Sequence, residues 1–156
     1  MTTKLAVAIF TPLWLAGCFG KDIAAYPAFA SDQCKAAGKG VAEVTFDDLA
    51  KIRGAKLLDA NVDTAGTRLF VISRGRKATP GHGISLVGVR RRGDVLQISV
   101  QADEPEQGTM LPQVLTSPCL VVAVDEAAFA DTAPATLVVT DQSNRNLGTL
   151  PLATGG

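Results

Sequence analysis

Between Asp94 and Ala102 the chain alternates strictly. Leu96, Ile98, Val100 and Ala102 point one way; Gln97, Ser99 and Gln101 point the other. A period of two sets one row of side chains against a core and the other toward water. Such a segment is a half-buried strand, and it needs sheet neighbours and a second layer to cover its apolar face. Neighbours can be read on both sides. Ile84, Leu86 and Gly88 alternate with Ser85, Val87 and Val89, and Arg91-Arg92-Gly93-Asp94 between the two runs reads as a hairpin turn. Leu69-Phe70-Val71-Ile72 is a short continuous apolar run, fit for a buried strand. Val41–Phe46, Leu120–Val124 and Thr136–Thr140 add strands, and Asn144-Arg145-Asn146 turns into a last one, Leu147–Leu152. One or two helical turns are expected over Asp47–Ile52. Thr45 and Asp48 are spaced as a capping box, and Gly54 is a natural stop. About seven short strands with almost no helix predict a mainly β fold over residues 41–156, a single small antiparallel β-sandwich or partly open barrel.

Composition bounds what such a domain does. The 156 residues, 47% of them hydrophobic, can build one core but not two domains. Fifteen basic and 15 acidic residues cancel, so no net basic field holds nucleic acid through its phosphates. One histidine, His82, rules out a multi-His metal site and leaves little acid–base machinery. A triad around it would need a nucleophile and a carboxylate, and nothing in the spacing aligns Ser85 or Cys119 with it. Zinc on Cys34, Cys119 and His82 would lack a fourth ligand and any C-x2-C spacing. The expectation is a non-catalytic protein with no metal, no cofactor and no small-molecule substrate.

The N-terminus carries an address. Lys4 is a short positive region, Leu5–Leu15 is an apolar run too short to span a bilayer, and Leu15-Ala16-Gly17-Cys18 follows. This tetrapeptide resembles the lipobox of bacterial lipoprotein signal peptides. The resemblance implies cleavage of residues 1–17 and lipidation of Cys18, whose several acyl chains together make a stable anchor. Phe19 stands where an aspartate commonly marks inner-membrane retention, which favours the outer membrane, on its periplasmic face or at the surface. Residues 18–40, rich in Ala and Gly, are expected to be the lipidated cysteine, a tether and a lead-in segment. Cleavage would leave 14 basic and 15 acidic residues and two further cysteines, Cys34 and Cys119. An even pair in an oxidising envelope has the arithmetic of a disulfide, which would contribute about 4 kcal/mol by the chain-entropy model. Two independent buried thiols satisfy the same count.

The segment from Phe70 to Val124 has an ordered set of pieces. A hydrophobic strand runs into the turn Gly75-Arg76-Lys77-Ala78-Thr79-Pro80-Gly81-His82-Gly83. The hairpin 83–102 comes next, then an acidic Pro/Gly loop from Pro105 to Gly108. Last come Leu115-Thr116-Ser117-Pro118 and the apolar strand Leu120–Val124. In this order the segment, about residues 67–124, resembles the C-terminal domain of the PrcB family of protease-complex subunits. Thr79 and Pro80 stand in exchanged order relative to that family's turn, and His82 and Ile84 sit where its aromatic residue is expected. The resemblance implies an accessory protein that binds and stabilises or modulates a secreted or surface protease. The turn is also similar to the Pro-Thr-Thr-Gly-Tyr loop of chagasin-type protease inhibitors. Arg76, Lys77, Thr79, Pro80, Gly81, His82 and Gly83 are therefore the candidate partner-binding residues, with His82 expected as an exposed loop side chain. Arg74, Arg76, Lys77 and Arg90-Arg91-Arg92 are two basic clusters expected along one rim of the sheet. The alternative role is a structural or assembly lipoprotein of the envelope with no protease partner.

Overall fold

A computed structural model describes residues 20–35, 38–53, 65–130 and 132–153. Cys18 with the expected signal peptide, and the expected stop at Gly54, lie outside the described residues. Nine strands and two short helices follow in the order β1 (Lys21–Ile23), β2 (Ala25–Ser31), β3 (Lys39–Val44), α1 (Phe46–Arg53), β4 (Thr67–Arg74), β5 (Gly83–Arg92), β6 (Val95–Asp103), β7 (Cys119–Asp125), a 3-10 turn (Glu126–Phe129), β8 (Thr136–Thr140) and β9 (Asn146–Pro151). They form two sheets, one five-stranded in the order β1-β5-β6-β8-β9 and one four-stranded in the order β2-β7-β4-β3. The fold is a small β-sandwich, mainly β as the alternation required. All neighbours are antiparallel except β6 and β8, which run parallel from Val95↔Thr136 to Ser99↔Thr140.

The side-chain pattern decides which face goes where. β6 buries Leu96, Ile98, Val100 and Ala102 and keeps the intervening residues half exposed, so it has one core face. β4 and β7 are continuous apolar runs because both of their faces are covered. Phe70, Ile72, Leu120, Val122 and Val124 meet the five-stranded sheet in the main core. Leu69, Val71, Cys119, Val121 and Ala123 point outward into a second, smaller core under α1, which contributes Leu49 and Ile52. The capping box closes reciprocally, as its spacing predicts. The Thr45 amide donates to Asp48 Oδ2 at 3.1 Å, and the Asp48 amide donates to Thr45 Oγ1 at 3.3 Å. Cys34 and Cys119 are bonded, with Cα atoms 5.9 Å apart, and pin the chain after β2 to the start of β7.

Three expectations are corrected. Residues 21–31 are not a tether but strands β1 and β2, one in each sheet. Lys, Asp, Ala and Pro have little strand propensity of their own; here pairing with β5 and β7 and the nearby disulfide hold this segment in the sheets. In β5 the alternation is interrupted by a bulge between Leu86 and Gly88, so the buried side chain beyond it is Val89 rather than Gly88. The hairpin turn is also tighter than expected, because Arg91 and Arg92 remain paired with Leu96 and Val95.

Candidate functional site

The turn between β4 and β5 and the loop between β6 and β7 lie side by side at one end of the sandwich. Lys77 and Thr116 exchange backbone hydrogen bonds of 2.8 and 2.9 Å, and Thr116 Oγ1 donates to the Thr79 carbonyl at 3.1 Å. Gly81 sits at φ 90°, and a Cβ there would lie 3.3 Å from Pro105. Its conformation and its proximity to the second loop both call for glycine.

A polar brace lies beneath this surface. Arg74, at the end of β4, is buried. Its guanidinium donates to the carbonyls of Gly83 and Asp103 and to the Glu104 carboxylate. The other Glu104 oxygen lies 2.7 Å from His82 Nδ1, and His82 Nε2 is 3.4 Å from Thr79 Oγ1. Burial raises the Glu104 carboxyl, but the hydrogen bond and charge of Arg74, helped by Lys77 and His82, outweigh it and hold the group below its ordinary range. One buried cation thus ties the turn, the hairpin and the acidic loop together, and its charge is matched by a carboxylate and carbonyls.

Two readings change here. His82 is not an exposed loop side chain; 13% of it is accessible, and it is part of the brace. The two basic clusters do not share a rim. Arg74–Lys77 lie at the Gly83 end of β5, and Arg90–Arg92 lie at its other end. There Arg90 pairs with Asp22 at 2.7 Å, and Arg91, turned inward beyond the bulge, donates to the Ala128, Gly93 and Thr132 carbonyls. Of the candidate binding residues, Arg76 and Gly81 are exposed, while Lys77, Thr79, Pro80, His82 and Gly83 are half-buried.

The same end carries exposed apolar residues outside the candidate binding set. Met110 is fully exposed, and Val114 and Leu115 are 49% and 66% exposed. All three stand on the loop from Glu104 to Pro118, beside the glycine turn. A loop that long, broken by Pro105, Pro112 and Pro118, is itself a signal, because long irregular loops in compact domains usually carry function. Apolar side chains held out from a braced loop suit recognition of a protein surface. The ring nitrogens of His82 face Thr79 and Glu104 rather than a nucleophile. Among the described residues no cluster of His, Cys, Asp and Glu could hold a metal ion, and no helix is long and apolar enough to cross a membrane.

Fold and site together define a β-sandwich with two cross-braced loops and an exposed apolar cluster at one end. The family model described as PrcB C-terminal matches residues 69–125, from β4 through the glycine turn, the hairpin and the apolar loop into β7. The chain thus carries a PrcB-like C-terminal domain over this segment. No curated protein and no solved structure matches the chain.

Proposed function

We propose that this chain is a non-catalytic envelope lipoprotein that binds and stabilises or modulates a secreted or surface protease. The supporting observation is the recognition end itself. Met110, Val114 and Leu115 stand out from loops cross-linked by Arg74 and Glu104, inside the segment that matches the PrcB C-terminal family. The anchor suits this role. Cys18 is two residues from Gly20, which packs against Arg92 at the far end of β5 from the glycine turn. A lipid on Cys18 would leave the recognition end about 30 Å away along that strand, facing outward from the leaflet. Outer-membrane attachment is part of the proposal, resting on Phe19 after the lipobox cysteine.

The test uses the full chain as bait in envelope and secretion extracts, beside the variant Met110→Asp/Leu115→Asp. Near-stoichiometric recovery of a protease is expected, reduced at least about tenfold by the variant, a loss of about 1.4 kcal/mol. Protease activity with and without the bait then separates a stabiliser from an inhibitor. Recovery of envelope-assembly proteins alone would make the chain an assembly lipoprotein. Cys18→Ser is expected to give a soluble or uncleaved species, and a normally processed variant that still fractionates with membrane would sink the anchor.

A further inference from the structure

Away from the recognition end, a groove of about 620 Å³ runs along the outer edge of β3. Lys39, Gly40, Val41 and Ala42 all line it. Gly40, Ala42 and Val44 line it from the outer face of the sheet, beside Val71 and Ser73 of β4, and Lys39 and Val41 line it from the strand's free edge. β3 is the last strand of its sheet, and no strand pairs with it on that side. The opposite wall is β9. A Cβ on Gly148 would lie 3.0 Å from both the amide nitrogen and Cγ1 of Val41, so glycine is what lets the two edges meet there.

The groove has two chemistries. Val44, Ile52, Val71 and Leu147 give it an apolar floor. Lys35, Lys39 and Lys51 stand around it, and the one carboxylate in its lining, Asp48, is already held by Lys51 at 2.9 Å. Lys35 and Lys39 have no ion pair among the described residues. In a chain whose formal charges cancel, this is a local excess of positive charge. A smaller hollow of about 190 Å³ shares Lys39, Ser73 and Leu147 with the groove and reaches Lys77 and Glu104. The basic track therefore joins the recognition end.

We infer that this groove receives an extended acidic segment of the protein partner, with an apolar side chain on the floor and carboxylates on Lys35 and Lys39. The inference rests on the protein-binding role proposed above. An elongated site favours an extended chain over a compact ligand, since the six residues of β3 span about 20 Å. An apolar anchor ringed by complementary charge is how interfaces join affinity to specificity.

The test is a titration of the isotope-labelled full chain with a capped hexapeptide alternating valine and glutamate, read by amide chemical shifts. Saturable shifts are expected at Lys39–Val44 and Leu147–Thr149, weakening as salt rises. Lys35→Glu/Lys39→Glu should raise Kd about tenfold or more with the spectrum elsewhere unchanged. The valine–lysine peptide should do nothing. The inference is overturned if no saturable shift appears, if the lysine peptide acts equally, or if salt has no effect. It also fails if decanoate takes the same residues while the peptide does not, or if these amides respond only to self-association of the chain. Protease capture without a peptide response sinks the groove alone; a peptide response without capture sinks the proposed function alone.

Discussion

The two faces of the four-stranded sheet are covered in different ways. Its inner face packs against a second sheet, so Phe70, Ile72, Leu120, Val122 and Val124 are held by strands whose own hydrogen bonds fix their positions. Its outer face is closed by eight helical residues, one disulfide and a capping box. A short helix is marginal without tertiary support, so the outer core depends on few points of attachment. Helix α1 also flanks the lysine-lined groove, so the less secured face is the one placed beside a candidate binding region.

Loss of the disulfide should have the largest effect. Cys34→Ser/Cys119→Ser is expected to lower stability by about 4 kcal/mol. Amide exchange should rise first in β2 and α1, with β6 still protected; equal loosening of β6 would mean that the two faces open as one unit. Next come two fully buried leucines, Leu137 in the main core and Leu49 in α1. Alanine should cost about 3 kcal/mol at Leu137 and about 2 kcal/mol at Leu49 in urea unfolding, because the cap can settle into the space it loses. Equal costs would erase the distinction. The smallest effect is expected from the brace between the glycine turn and the acidic loop. Glu104 titrates below its ordinary 4.5 when folded, so its contribution is full above that pH and fades as pH falls through the lower folded value. Since about half of the side chain is exposed, screening limits the contribution to less than about 1 kcal/mol. Glu104→Gln should remove that part of the acid dependence; an unchanged pH profile of stability would show that the brace does not contribute.

What was legible in the sequence follows the same physics. The alternation of Leu96, Ile98, Val100 and Ala102 and the runs at Leu69–Ile72 and Leu120–Val124 are direct records of burial on one face or two. The Thr45–Asp48 cap is a local motif, and it forms as spaced. The turn at 75–83 and the family segment could be read from order and spacing. The parallel pairing of β6 with β8 could not, because strand partners distant in sequence leave no periodicity. Nor could β1 and β2, whose Lys, Asp, Ala and Pro residues favour strand little and which are strands only through the strands they join. His82 and Arg74 looked like surface residues because their partners, Glu104 and the Gly83 and Asp103 carbonyls, come from a different loop or strand end.

The position of the disulfide has a mechanical consequence. A pull on the chain at Gly20 would first peel β1 from β5, then β2 from β7. At Cys34 the covalent bond to Cys119 passes the load directly to the start of β7, a central strand of its sheet. Residues 20–33 could pay out about 50 Å of extended chain before that stop. Beyond it, the tension would act on the remaining strands of both sheets together, so a pull from the N-terminal side would release β1 and β2 and then stop.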